Sequence, residues 1–161
     1  MTVATVTTVE ATHAGYHPAS VPIRVVVADD SVAIRDVLAD ILARSPDIDL
    51  VATADDEPSL LAAVDDTRPD VVVTDVRMPP TGTDEGVRVA ARLATMRPEI
   101  AVVVVSQYAD PVWLSRVFDQ GSENRGWVMK ERVNFDGQLI RAVKTVHQGE
   151  RWIDPWVMAR E

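Results

Sequence analysis

Short apolar runs alternate with amphipathic stretches along most of the chain, beginning at Ile23. The runs are rich in β-branched residues, including three consecutive valines at 71–73. Each run is followed by a stretch whose apolar positions recur every three or four residues. This alternation is typical of βα units, in which helices cover the faces of a parallel sheet. Five such units can be counted before Gly149.

Prolines and capping residues set the boundaries of these units. Pro58 and Pro111 each fall in the first turn of a predicted helix, where a missing N–H group does no harm, and Asp30 or Ser31 can cap the first helix. We predict strands at 23–28, 50–54, 71–73, 100–105 and 127–129, and a third helix at 85–96. Right-handed crossovers then predict a doubly wound (βα)5 flavodoxin-like parallel sheet with strand order 2-1-3-4-5 and helices on both faces.

The segments outside the βα units have a different character. Residues 1–22 show no sustained periodicity, which predicts a flexible N-terminal arm ahead of a single domain at 23–149. Within the last segment, 150–161, Asp154 and Pro155 form a good N-cap and first-turn pair. We therefore expect a linker there that contains the start of a further helix.

Composition and charge exclude several classes of protein and of binding site. A length of 161 residues with 47% hydrophobic residues suits one globular domain, and a formal net charge of −9 argues against sequence-independent binding to nucleic acid. Because the chain has no cysteine, neither disulfides nor thiolate zinc sites are available. No basic residue precedes Arg24 and the N-terminal segment has no continuous apolar stretch, so we expect no signal peptide, no membrane span and a cytoplasmic location.

Chemically active side chains follow four of the five predicted strands. Asp29 and Asp30 follow the first strand, Asp75 the third, Ser106 the fourth and Lys130 the fifth. Ligands of doubly wound sheets bind outside the carboxyl ends of the strands, so these groups should meet at one edge. Crowded carboxylates need a cation, and oxygen ligands of this kind suit Mg²⁺, which also accepts a phosphate. The sequence thus predicts a phosphoryl site with Asp75 as nucleophile, Asp29 and Asp30 at the metal, and Lys130 and Ser106 around the phosphoryl oxygens.

Each of these residues also has an ordinary structural interpretation. Asp29 and Asp30 could simply cap a helix, and Asp75 could be a turn residue. Lys130 could be a solvated side chain, and Ser106 a plain strand end. Their joint occurrence at the correct strand ends is what favours a functional site.

The segments around these positions resemble the receiver domain of response regulators, especially the NarL/LuxR type found in actinobacteria. The matching segments are VVVADD at 25–30, VTDVRMP at 73–79, VVSQY at 104–108 and GWVMK at 126–130, and the similarity covers about 23–149. The resemblance implies that Asp75 takes its phosphoryl group from the phosphohistidine of a sensor histidine kinase. It also implies that Asp30 and Asp75 hold Mg²⁺, with help from Asp29 and the backbone carbonyl of Arg77.

The same resemblance implies a switch. Ser106 would move toward the phosphoryl group, and Trp127, three positions before Lys130, would reorient. The face made by the fourth helix, the fifth strand and the fifth helix would change as a result, because a new dianion biases a bistable element. The alternative is that Trp127 is an ordinary tryptophan at the edge of the core.

Some features depart from the usual family pattern. The loop at 79–86 is longer than usual, residues 122–125 look like an insertion, and Glu131 stands where many receivers have proline. The segment WIDP at 152–155 resembles the linker to a helix-turn-helix output domain, and residues 150–161 are expected to lead to such a domain outside this chain, unless the regulator acts as a stand-alone receiver. The resemblance therefore implies DNA contact only through such a domain, leaves a homodimer open and implies no membrane partner.

Three classes of function are considered. The first is a phosphoacceptor whose only reaction is slow self-dephosphorylation, and which is therefore not a turnover enzyme. The second is a phosphatase with an aspartyl nucleophile, but such enzymes resemble a pattern with a second acid two positions later on the first strand, where this chain has Ser31. The third is a pseudo-receiver that binds partners without phosphate, against which the intact set of acids, hydroxyl and lysine argues.

Overall fold

One parallel sheet forms the centre of the computed structural model, which describes residues 21–119 and 123–160. Its strands are β1 (Ile23–Ala28), β2 (Ile48–Ala54), β3 (Val71–Asp75), β4 (Ala101–Ser106), β5 (Arg125–Met129) and β6 (Trp152–Ile153). In the described ranges they lie in the order β2-β1-β3-β4-β5-β6, and every neighbouring pair is parallel.

Helices connect the strands, and several of them begin after a residue whose side chain caps the first turn. Ser31 caps the first helix, Asp110 the fourth and Asp154 the last, each by accepting a hydrogen bond from a backbone N–H in the first turn. Two short 3₁₀ turns, Lys130–Arg132 and Phe135–Gly137, lie between β5 and the fifth helix. The helices are α1 (Val32–Ala43), α2 (Glu57–Thr67), α3 (Glu85–Met96), α4 (Pro111–Phe118), α5 (Gln138–His147) and α6 (Pro155–Met158).

Two apolar layers cover the two faces of the sheet. In β1, Val25 and Val27 pack in the layer that contains α1 and α5, whereas Val26 and Ala28 pack in the layer that contains α2, α3, α4 and α6. Every residue of β3 and β4 is buried, as expected of central strands in a parallel sheet. The polar residues at the ends of these strands are therefore carried on a rigid frame.

The predicted fold is confirmed, and β6 extends it. The strand order 2-1-3-4-5 is present, but residues 152–153, which the sequence places in a linker, pair with Gly126 and Trp127 of β5. Two residues are too few to show the alternation of apolar and polar positions that marks a strand. They pair because the edge of β5 offers unpaired backbone groups. The predicted further helix after Asp154 is present as α6.

Strand β5 begins at Arg125, two residues before the predicted strand at 127–129. Arg125 pairs with Val102 of β4 and is fully buried. Its guanidinium donates to the carbonyl oxygens of Ala90 at 2.9 Å and Ile100 at 3.2 Å, and burial lowers its pKa to about 10. A charged residue whose terminal guanidinium nitrogens donate to backbone carbonyls can start a buried strand, although Nε of Arg125 has no hydrogen-bond partner among the described residues. The hydrophobic pattern alone does not reveal such a residue.

Parts of the predicted arm and of the predicted insertion cannot be compared with the structure. Residues 1–20 of the predicted arm, and residue 122 of the predicted insertion, lie outside the described residues. In the two described ranges, no helix has both the length and the apolar character needed to cross a membrane.

Candidate functional site

Four strand ends carry the predicted site residues to the carboxyl edge of the sheet. Asp29 directly follows β1, Asp75 and Ser106 are the last residues of β3 and β4, and Lys130 directly follows β5. These four strands are neighbours in the sheet, so their ends lie side by side. Asp29, Asp75 and Lys130 are brought into direct contact.

Lys130 bridges two carboxylates. Its Nζ lies 3.1 Å from Oδ2 of Asp29 and 3.2 Å from Oδ2 of Asp75, and its side chain is 15% exposed. Apart from this ion pair, Oδ2 of the buried Asp29 has no hydrogen-bond partner in the described part of the chain. Oδ1 of Asp29 accepts the N–H of Ser31 at 2.9 Å, and Oδ1 of Asp75 accepts the N–H of Val76 at 2.8 Å. Each carboxylate thus has one oxygen fixed by the backbone and one turned toward the ammonium group.

The three acids at this edge suit a hard divalent cation. One oxygen from each of Asp29, Asp30 and Asp75 lies within 4.8 Å of the other two. Asp30 is exposed to solvent, whereas the other two are buried, so an ion here would keep access to water on one side. Carboxylates together with water molecules are the ligands that Mg²⁺ prefers, and Oδ2 of Asp29, which pairs with Lys130 but accepts no hydrogen bond from other described residues, can also bind a cation. The residues present therefore fit Mg²⁺.

The charges of the site perturb one another. Burial raises the pKa of Asp75, repulsion from Asp29 adds to this, and attraction by Lys130 opposes it, with the result that the pKa moves from 3.8 to about 6. Burial alone would lower the pKa of Lys130, but Asp75 and Asp29 outweigh it and raise this pKa. Near neutral pH the site therefore holds an ionised Asp75 beside a protonated Lys130.

An open pocket of about 250 Å³ gives access to Asp75. One wall is built by Arg77, whose guanidinium carbon lies 5.5 Å from the ring centre of Tyr108 and 5.4 Å from that of Trp113. Cation–π attraction to two rings holds such a guanidinium in place. The residues lining the pocket are Asp30, Asp75, Val76, Arg77, Ser106, Gln107, Tyr108, Trp113 and Lys130.

Ser106 and Trp127 are placed differently from the charged residues. Ser106 lines the pocket, but its hydroxyl donates to the carbonyl oxygen of Tyr108 at 2.7 Å and accepts the N–H of the same residue at 3.1 Å. Trp127 is fully buried within the core, and its Nε1 has no hydrogen-bond partner among the described residues. Its predicted role is in the switch, away from the pocket, and that role stays a prediction.

Two residues that the sequence analysis did not single out shape the end of β3. A Cβ on Gly86 would lie 1.9 Å from the carbonyl oxygen of Asp75, so α3 can approach the nucleophile this closely only with glycine at this position. Burial alone would raise the pKa of Glu85, but hydrogen bonds from Thr81 and Thr83 lower it to about 2. The signal that could have revealed both is an acid followed by glycine at a predicted helix start.

Comparison with known proteins agrees with this geometry. Residues 25–131 match the family described as the response regulator receiver domain. The oxygen regulatory protein NreC of Staphylococcus epidermidis is 32% identical over 131 residues, which cover 81% of this chain and 57% of that protein. The chain thus spans little more than half the length of the curated relatives that it matches.

Solved structures show the same fold. The signal receiver domain of the response regulator NarL from Mycobacterium tuberculosis is 28% identical with a TM-score of 0.68, covering 80% of this chain and 98% of that one. The isolated receiver domain of RcsB from Salmonella enterica serovar Typhimurium, in the presence of phosphomimetic BeF3⁻, reaches a TM-score of 0.74 at 21% identity over 86% of this chain and 97% of that one. On the family match and the NreC relationship together, the chain belongs to the response regulator receiver domain family, whose members are signalling proteins rather than classical enzymes.

Proposed function

We propose that this receiver domain is a phosphoacceptor in which Asp75 takes a phosphoryl group from the phosphohistidine of a sensor histidine kinase, with Mg²⁺ at the site. The observation that carries the proposal is the 3.2 Å contact between Oδ2 of Asp75 and Nζ of Lys130 beside an open pocket of about 250 Å³. A carboxylate that faces both a cation and an open pocket can attack phosphorus while the cation balances charge on the phosphoryl oxygens.

The transfer exchanges one bond to phosphorus for another. A carboxylate oxygen forms a bond to phosphorus while the bond from phosphorus to the leaving group of the donor breaks, which gives an acyl phosphate. Lys130 is near enough to contact an oxygen of the transferred group. Asp29, Asp30, Asp75 and the backbone carbonyl of Arg77 would hold Mg²⁺, which supplies positive charge against the phosphoryl oxygens.

The readout of phosphorylation belongs to the same proposal. The hydroxyl of Ser106, bonded to the backbone of Tyr108 in this structure, moves to a phosphoryl oxygen. Trp127 reorients in response, and its buried, unpaired Nε1 supports this role because a new arrangement can give that group a partner. The surface formed by α4, β5 and α5 changes, since charge-assisted hydrogen bonds to a new dianion bias a bistable element.

The part that this domain takes in a whole protein is also a proposal. The receiver acts in the cytoplasm and controls transcription through a helix-turn-helix output domain that makes the DNA contact. The formal net charge of −9 supports assigning that contact to another domain, because binding to phosphates needs clustered cations. Water removes the phosphoryl group from Asp75 slowly, so the domain is a timed switch with no substrate to turn over.

The test is phosphoryl uptake measured by intact mass after incubation with acetyl phosphate and Mg²⁺. Wild type and Asp66→Asn, which changes an exposed carboxylate on α2, should each gain one phosphoryl group, whereas Asp75→Asn should gain none. Omitting Mg²⁺ should abolish uptake. If Asp75→Asn takes up phosphoryl as wild type does, or if wild type turns over a phosphate ester many times without retaining phosphoryl, the proposal is wrong.

A further inference from the structure

The C-terminal segment of the described chain, residues 152–158, is docked against the strand that leads into the phosphoacceptor site. Its strand β6 pairs with Gly126 and Trp127 of β5, and the N–H of Asp154 donates to the carbonyl oxygen of Trp127 at 2.9 Å. On α6, Val157 is buried in the same core layer as Trp127. This segment is therefore an integral layer of the domain beside β5.

Asp154 holds the segment in place through a fully buried carboxylate. Oδ2 accepts the backbone N–H of Met129 at 2.9 Å. Oδ1 accepts Nε of Arg132 at 2.9 Å and the backbone N–H of Trp156 at 2.9 Å. A buried charge is tolerated only when such donors satisfy it, so each of these donors is held firmly.

Two of these donors flank the lysine of the site. Met129 is the last residue of β5 and directly precedes Lys130. Arg132 is the last residue of the 3₁₀ turn that begins with Lys130. The carboxylate of Asp154 thus holds both ends of the short segment that carries the ammonium group. Lys130 in turn lies between Asp29 and Asp75, at 3.1 and 3.2 Å. Any loosening of the turn moves the ammonium relative to these two acids.

We propose that Asp154 is a positioning residue for phosphoryl transfer, which holds Lys130 at Asp75 from outside the pocket. The proposal rests on the proposed function of Asp75 as phosphoacceptor. Asp154 touches neither Asp75 nor the pocket in the described structure, so it acts through the turn alone. The C-terminal segment is by this proposal part of the phosphorylation machinery as well as a neighbour of the proposed switch residue.

The test compares Asp154→Asn with a matched control, Asp136→Asn. Both variants remove a carboxylate that is paired with an arginine in the same region, but Asp136 is 74% exposed and pairs with Arg141 rather than with Arg132 of the turn. Asparagine is also well suited to the left-handed backbone of Asp136, with φ 53°. The amide that Asp154→Asn introduces cannot accept all three donors, because its nitrogen is itself a donor.

Three quantities are measured for each variant. They are the rate of phosphoryl uptake from acetyl phosphate, the affinity for Mg²⁺ without any phosphoryl donor, and the hydrogen-exchange rate of the Met129 amide. We expect Asp154→Asn to slow uptake by about tenfold or more, because small misplacement of a catalytic group has effects of this size. Its Mg²⁺ affinity should be unchanged or tighter, since a displaced ammonium no longer competes for Asp29 and Asp75. Exchange at Met129 should be faster, and Asp136→Asn should match wild type in all three.

A double-mutant cycle tests whether Asp154 acts through Lys130. In a Lys130→Ala background, adding Asp154→Asn should cause no further loss of uptake rate, because the group that it positions is already gone. An equal loss in both backgrounds would overturn the proposal. So would a weaker Mg²⁺ affinity in Asp154→Asn, which would indicate general loosening of the site.

The proposal can still be tested if Asp154→Asn does not fold or if wild type is not phosphorylated. Should Asp154→Asn fail to fold, Arg132→Gln keeps the carboxylate and releases only one end of the turn, and it should slow uptake while leaving Mg²⁺ affinity intact; normal uptake would overturn the proposal. If wild type takes up no phosphoryl group, the proposed function fails by itself. The Mg²⁺ affinity and the Met129 exchange rate then still decide whether Asp154 controls the position of Lys130.

Discussion

Asp75→Asn should stabilise the metal-free domain near neutral pH. The side chain of Asp75 is only 10% exposed. Burial, together with repulsion from Asp29, raises the pKa of its carboxyl group from 3.8 to about 6. Each pH unit of such a displacement corresponds to about 1.4 kcal/mol, so the ionised form destabilises the fold by about 3 kcal/mol. Asparagine removes this charge and keeps an oxygen for the N–H of Val76.

The sign of the pH dependence follows from the raised pKa. The folded state binds the Asp75 proton more tightly than the unfolded state, so wild type regains stability as the pH falls through about 6 toward 4. The advantage of Asp75→Asn should therefore be about 3 kcal/mol near pH 7 and shrink to about 1 kcal/mol near pH 4.5. Urea unfolding in the presence of a chelator, with Asp66→Asn as control, measures both values. Equal or lower stability of Asp75→Asn near pH 7 would refute the reasoning.

Three further predictions address the surroundings of Asp75. Gly86→Ala should destabilise the fold by about 3 kcal/mol or more in urea unfolding, because its Cβ would lie 1.9 Å from the carbonyl oxygen of Asp75; a neutral effect would contradict this close approach. Glu85→Gln should destabilise the fold by about 3 kcal/mol near pH 7, and wild type should lose most of this contribution as the pH falls from about 4.5 to 2, since the folded pKa is lowered from 4.5 to about 2. Replacing both Arg77 and Tyr108 by alanine should shorten the half-life of the phosphorylated protein, followed by intact mass, because the stacked pair shields the pocket from water; an unchanged half-life would remove that idea.

The convergence of the charged residues could be predicted because it depends only on strand order. Once β1, β3, β4 and β5 are adjacent and parallel, Asp29, Asp75 and Lys130 must share one edge. The valine-rich runs show these strands clearly, since both of their faces are buried. Residue order along the chain was therefore sufficient for this part of the site.

Other features depend on contacts that no local pattern encodes. Strand β6 has only two residues, and it exists because the edge of β5 offers it partners. Arg125 starts β5 as a buried cation because the carbonyl oxygens of Ala90 and Ile100 lie within reach. Likewise, the three donors that converge on Asp154 come from positions 129, 132 and 156, and only the last lies close to it in sequence.

The central claim is that Asp75 accepts the phosphoryl group, and mapping the modified residue tests it most directly. The protein is phosphorylated with acetyl phosphate and Mg²⁺, and borohydride then reduces the acyl phosphate so that the acceptor aspartate becomes homoserine. Peptide mass analysis should find homoserine at position 75 alone. Homoserine at position 29 or 30 with Asp75 intact would contradict the account.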